Sequence, residues 1–236
     1  MSTEVLERAR TDNEKDGSKE CVVLLSGGID STVLMYSLVE DYRVWPLTIN
    51  YGQRHNKEVL AARNVCEARG QWLLLRWKYL DLSNLRFILP SALTDTSVDV
   101  PFGKYTESSM SQTVVPNRNA ILLSLAYGYA EGIGARFVAY APHSEDHFLY
   151  RDCRPEFFEK FAEAEEAATG IKLLVPFGRK TKADIITLGK KLNVPFRLCW
   201  SCYVGGNVHC GQCSTCIERR EAFIKAGVSD PTIYGR

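Results

Sequence analysis

The chemistry in this chain begins at Ser26-Gly27-Gly28-Ile29-Asp30-Ser31-Thr32. Two adjacent glycines let the backbone turn sharply and leave no Cβ between the chain and a ligand. Ser26 and Ser31 add hydroxyl donors suited to phosphate oxygens, and Asp30, Ser31 or Thr32 can cap a helix that follows. A helix starting here turns free N–H groups and its positive dipole end toward an anion. No Lys follows the glycines, so this is not a Walker loop, and the spacing is not that of a GxGxxG fingerprint. The apolar run Cys21 to Leu25 reads as a buried strand of a parallel sheet, and Val33, Leu34, Leu38 and Val39 recur at helical spacing. The bland alternative is an ordinary strand–turn–helix corner.

A second concentration of chemistry lies at Cys199, Cys202, Cys210, Cys213 and Cys216. Cys202-x7-Cys210-x2-Cys213-x2-Cys216 can give four thiolates to one tetrahedral ion, with Gly205, Gly206 and Gly211 for the tight turns. Iron–sulfur proteins also use C-x2-C-x2-C runs, and Cys199-x2-Cys202 is spaced for a redox pair. A closed structural zinc site is expected, with Cys199 left over and His209 beside the ligands rather than among them.

The elements that must position these residues come from an ordinary composition. The chain has 236 residues, 45% hydrophobic and 24% charged, with net charge +1. That is enough for a sizeable core, without the basic excess of a non-specific nucleic-acid binder. It has no apolar run long enough to span a membrane, and its polar first twenty residues do not read as a secretory signal. A cytoplasmic location with reduced thiols is the expectation. Alternating strand and helix patterns predict an α/β fold, a Rossmann-like parallel sheet flanked by helices, with a C-terminal zinc-binding arm. The expected organisation is a flexible leader over 1–20, an α/β domain over 21–198, and the Cys-rich arm with a terminal helix over 199–236. Further strands are predicted at 44–50, 72–80, 137–141 and 173–176. Helices are predicted at 57–69, 120–132, from Pro155 onward, and at 181–192. Residues 81–114 show no periodicity and are expected in part to cover a site or to be poorly ordered. The loop after the fourth strand, 142–154, is a substrate-site candidate because ligands sit at the carboxyl ends of such strands.

The string Ser26 to Ser31 resembles the pyrophosphate loop of the N-type ATP pyrophosphatases. With the remaining motifs the chain resembles the QueC family, the 7-cyano-7-deazaguanine synthases, from about Cys21 to Tyr234. The motifs are Leu25 to Thr32, Tyr51-Gly52-Gln53-Arg54-His55, Val115-Pro116 with Arg118-Asn119, Asp152-Cys153-Arg154, Thr181-Lys182-Ala183-Asp184-Ile185, Trp200-Ser201-Cys202-Tyr203, Cys210 to Cys216, and Glu218 to Phe223. The resemblance implies ATP, Mg2+ and Zn2+ as cofactors, a place in queuosine biosynthesis, and a homodimer. It implies that 7-carboxy-7-deazaguanine is adenylated, that ammonia gives the amide, and that a second ATP drives dehydration to the nitrile. By motif match, Ser26, Gly27, Gly28, Asp30, Ser31, Thr32 and Lys182 hold the nucleotide and its magnesium. Asp30, Ser31, Arg118 and Lys182 form the catalytic set. Gln53, Arg54, His55, Asn119, Asp152 and Arg154 bind substrate, and Cys202, Cys210, Cys213 and Cys216 bind the structural metal. Bland readings stand beside these: Arg118 and Lys182 as solvated helix-start charges, Arg54 and His55 as a surface turn, Asp152 and Arg154 as a local salt bridge.

The chain departs from the family pattern where Asn50 replaces Asp, at Asn117, at Ala141-Pro142, at His143 and His147, and across Phe148 to Arg151. The nucleotide loop and metal arm are kept while the substrate loop is altered. Two alternatives therefore accompany the synthase reading: transfer of the activated deazaguanine to a protein amine, as in QueC-like proteins of anti-phage systems, and a tRNA-modifying relative. Near-neutral charge makes nucleic acid an improbable partner, and the lack of a membrane span excludes a bilayer-spanning role by helices.

Overall fold

The computed structural model describes residues 19–54, 57–104, 111–147 and 150–235. Five strands form one sheet: β1 (Glu20–Leu24), β2 (Arg43–Asn50), β3 (Lys78–Asp81), β4 (Phe137–Ala139) and β5 (Lys172–Leu174). Their spatial order is β3-β2-β1-β4-β5, and every neighbouring pair is parallel. The expected α/β fold, a parallel sheet flanked by helices, is therefore present. Strand order reverses beside β1, where chain direction carries β2 to one side and β4 to the other, and ligands settle in the crevice at such a point.

Both faces of β1 are covered, as its unbroken apolar run requires. Cys21 and Val23 point into one core with α1 (Ile29–Leu38), α2 (Lys57–Arg69), α6 (Lys182–Lys191) and α7 (Ser214–Lys225). Val22 points into the other, with α4 (Arg118–Ile133) and α5 (Pro155–Thr169). The α7 residues Ala222 and Phe223 belong to the first core, so the Cys-bearing segment packs on the sheet domain.

Two expectations are corrected and a third is filled in. The span 72–80 is not one strand: α3 (Gln71–Arg76) precedes the short β3. Its period-two register misleads, since Leu73 is fully buried while Leu75 is half exposed. The turn is held instead by Trp72, whose ring lies under the guanidinium groups of both Arg69 and Arg76. The N-cap of α1 is Gly28, with no side-chain cap hydrogen bond. Residues 81–104 are not featureless: Ser83–Phe87 makes a 3-10 turn, and Arg54 donates to the carbonyls of Ala92 (3.2 Å) and Val98 (2.6 Å). The leader expected over 1–20 lies outside the described residues up to position 18. Among the described residues no helix is long and apolar enough to cross a membrane.

Candidate active site

The loop after β1 turns at Gly27, whose φ of +89° favours glycine. A Cβ there would lie 2.6 Å from the Ala62 backbone nitrogen of α2, so the helix packs directly on the turn. The two hydroxyls face each other: Ser26 Oγ and Ser31 Oγ are 2.9 Å apart, and the Gly28 N–H donates to Ser26 Oγ at 3.1 Å. The Gly27 carbonyl accepts from the Trp200 N–H at 3.0 Å, which ties the loop to the distant Cys-rich segment. The first amides of α1 have no intrahelical acceptor and open the helix end to an anion.

The loop forms one wall of a cavity of about 540 Å³ at the carboxyl ends of β1, β2 and β4. Charge gathers beside it. Lys182 Nζ lies 2.7 Å from Glu218 Oε2 and 3.6 Å from Asp30 Oδ2. His143 Nε2 lies 3.4 Å from Asp146 and 4.0 Å from Asp30. Burial alone would lower the Lys182 pKa, but Asp30, Glu218 and Asp146 raise it well above the usual lysine range. Desolvation pushes the Asp146 carboxyl up, against the pull of His143 and Lys182. Asp30 Oδ1 is buried without a hydrogen-bond partner among the described residues.

The other half of the cavity is aromatic. Tyr51, Tyr140, Tyr150 and Tyr203 line it with Arg118 and Asn119. The Arg118 guanidinium sits 6.0 Å from the centre of the Tyr51 ring. Burial would lower the Arg118 pKa, yet Tyr51 and Asp152 raise it further, so this cation is fixed.

Of the residues singled out in sequence, Ser26, Gly28, Asp30, Ser31, Gln53, Arg118, Asn119 and Lys182 line this cavity. Gly27 shapes it from behind. Thr32 does not reach it: the residue is fully buried and its N–H already serves the Gly28 carbonyl at 3.2 Å. Asp152 accepts from the Asn119 N–H at 3.1 Å, so its carboxylate caps the start of α4. Arg154 Nε donates to the His147 carbonyl at 2.8 Å. Arg54 is committed to the carbonyls of the 92–98 segment. These side chains brace the walls instead of lining them. His55 lies outside the described residues. Sequence reading missed Asp146, Glu218 and the four tyrosines as cavity residues. Only the position of 142–154 after a strand hinted at Asp146, and Glu218 was hidden in the Cys-rich motif.

The cysteines divide as spaced. The thiol sulfurs of Cys202, Cys210, Cys213 and Cys216 all lie within 4.8 Å of one another. One zinc ion about 2.3 Å from each sulfur fits that spacing. The Cys213 N–H points at Cys210 Sγ (3.2 Å) and the Cys210 N–H at Cys202 Sγ (3.3 Å), donors that suit thiolates. His209 is otherwise engaged, accepting the Ser201 N–H at 3.1 Å with its ring 4.3 Å from Trp200. Cys199 stands apart in the core, where burial pushes its thiol up to about 11.

Residues 20–227 match the family model for the queuosine biosynthesis protein QueC. The chain belongs to the QueC family. A 7-cyano-7-deazaguanine synthase of Brucella anthropi is 46% identical over 219 residues, covering 90% of this chain and 92% of the relative. The synthase of Caldicellulosiruptor bescii is 45% identical over 216 residues, covering 90% and 96%. Among solved structures, the NMN synthetase of Francisella tularensis aligns over 97% of this chain and 88% of its own at 17% identity and a TM-score of 0.49, a loose likeness. Of the QueC motifs, those that carry Ser26 to Ser31, Gln53, Arg118-Asn119, Lys182 and Glu218 reach the cavity, and those that carry Cys202 and Cys210 to Cys216 form the Cys quartet.

Proposed function

We propose that this chain is an ATP-dependent C–N ligase that makes 7-cyano-7-deazaguanine. The observation that carries the reading is the joining, in one cavity, of an anion-binding loop to an arginine-bearing aromatic pocket. It is supported by the near full-length identity to proteins named for that synthesis.

A carboxylate resists ammonia because its oxygen is a poor leaving group. Adenylation turns that oxygen into part of AMP, with pyrophosphate released, and ammonia then displaces AMP to give the amide. A second adenylation, on the amide oxygen, lets AMP leave with loss of the nitrogen-bound protons, which gives the nitrile. The protein's share is charge placement and positioning. Ser26, Gly28, Ser31 and the start of α1 bind phosphate oxygens, and Lys182 neutralises them. Three carboxylates crowd that lysine, an excess of negative charge that an anionic nucleotide enters only with a cation. The unpartnered Asp30 Oδ1 suits magnesium, which would offset the phosphate charge there. Arg118, over Tyr51, is placed for the carboxylate of a flat aromatic acid, with Asn119, Gln53 and the tyrosines around its ring. Zinc in the Cys quartet would hold the arm, and sulfurs this close leave no room for several irons. The homodimer and the cytoplasmic setting belong to the same reading.

The test is incubation with magnesium-ATP, 7-carboxy-7-deazaguanine and ammonium, with masses read alongside AMP. Nitrile supports the two-step synthase. Amide alone limits the enzyme to the first step. Adenylated acid without either product redirects it to another amine, such as one on a protein. No AMP and no mass change defeats the proposal.

A further inference from the structure

Lys182 meets three carboxylates that are not equivalent. Asp30 turns Oδ2 toward the lysine at 3.6 Å and keeps Oδ1 buried and unpartnered among the described residues. Asp146 faces His143 at 3.4 Å. Glu218 alone grips the ammonium, at 2.7 Å. A carboxylate beside an anion-binding loop can hold the cation that an anion brings, or hold a cationic side chain while the anion is absent. The free oxygen of Asp30 suits the first task and the short Glu218 ion pair suits the second.

The two partners also differ in freedom. Glu218 lies on α7 next to Arg219, which is 1% exposed and bound to Asp230 and to the Cys199 and Phe196 carbonyls. That clamp fixes the glutamate's backbone. Lys182 opens α6, where the capping box of Thr181 and Asp184 and the Glu145 carboxylate satisfy the backbone amides. Its four-carbon stem is left as the part that swings.

Resting on the reading that the loop holds magnesium-ATP, we infer that Glu218 is a positioning residue. It parks Lys182 in the empty site, yields it to the phosphates when nucleotide enters, and takes it back as pyrophosphate leaves. Glu218 thus competes with the phosphates for one ammonium. Affinity for pyrophosphate is kept low by the same contact that keeps the lysine in place.

Calorimetric binding of magnesium pyrophosphate to the full, metal-loaded chain tests this. Glu218→Gln keeps the shape and removes the charge, so it should bind pyrophosphate about tenfold tighter. Glu218→Asp, with a shorter reach, should bind about two- to threefold tighter. Neither change should matter once Lys182 is alanine. In turnover, Glu218→Gln should lower KM for ATP and kcat together, a pattern that mere structural damage does not produce. Equal or weaker pyrophosphate binding by a Glu218→Gln chain that melts like the parent overturns the inference. So does a raised magnesium requirement, which would make Glu218 a cation ligand. Should Glu218→Gln not fold, Glu218→Asp decides by the same sign. A parent chain that binds neither ATP nor pyrophosphate defeats the nucleotide reading itself, a distinct outcome.

Discussion

Replacing Arg219 with leucine should cost this protein about 3–5 kcal/mol. The guanidinium is 1% exposed and makes its contacts in three directions. Nε and a terminal nitrogen reach Asp230 Oδ1 at 3.2 Å, one donates to the Cys199 carbonyl and Ser201 Oγ at 3.2 Å, and one to the Phe196 carbonyl at 3.0 Å. Leucine fills most of the volume and returns about 1–2 kcal/mol of apolar burial. It leaves the Asp230 carboxylate, 12% exposed, without its counter-charge, and takes a donor from two buried carbonyls. Breaking a buried pair from one side costs about 3–5 kcal/mol, and each orphaned carbonyl adds roughly 1. For a chain of 236 residues, each kcal/mol lowers Tm by about 2–4 °C, so a fall of about 6–20 °C is expected. Urea unfolding with the metal present measures it. The acid limb supplies a second check. Desolvation raises the Asp230 carboxyl, but the Tyr234 hydroxyl and Arg219 outweigh it and hold the group below its ordinary value. A depressed carboxyl stabilises the fold above about pH 4 and loses that contribution as pH falls through its folded value. Arg219→Leu should flatten this acid-side decline. A loss under about 1 kcal/mol with an unchanged acid limb would refute the view that Arg219 joins the Cys-rich segment to the sheet domain.

Three further changes should have separate signatures. Gly27→Ala forces a Cβ into α2 at a positive φ, and should destabilise by about 2 kcal/mol or more and abolish AMP formation, read by melting and by nucleotide analysis. Cys213→Ser should reduce bound metal from one equivalent to none in elemental analysis, and open the segment around residues 199–216 to protease while β1 and β2 stay protected from hydrogen exchange. Lys182→Ala removes the ammonium set against the loop and leaves Asp30 and Glu218 without their counter-charge, so AMP formation should fall about a hundredfold and Tm should fall with it.

Much of this was legible in sequence, and the failures share a cause. The strand and turn from Cys21 to Gly28 read correctly because an unbroken apolar strand and paired glycines constrain one another locally, whereas the N-cap and the place of Thr32 depend on packing. The Cys quartet reads correctly because ligand spacing is a local property. The α3 turn did not, because six residues are too few to tell a period of 3.6 from one of 2. Sequence places Asp152 and Arg154 in the loop after the fourth strand but does not say that the Asp152 carboxylate turns to the Asn119 N–H and Arg154 Nε to the His147 carbonyl. The run Glu218-Arg219-Arg220 enters the sequence reading only as part of a motif, yet Arg219 is buried and Glu218 faces the cavity. Their partners Asp230 and Lys182 are local only in the fold.

The hydrogen bond from Trp200 to the Gly27 carbonyl links the earliest functional element of the chain to one of its last. As the polypeptide is synthesised, the glycine loop emerges long before its backing exists. At about 5–20 residues per second, some 170 intervening residues mean a wait of roughly 10–35 s on the ribosome. Through the earlier part of that interval β1 lacks β4, and throughout it the core lacks α7, so an apolar strand and its nascent neighbours stand partly uncovered. Slow codons or a chaperone between β4 and α7 should therefore decide yield, and shortages late in synthesis should appear as aggregation of the earliest segment.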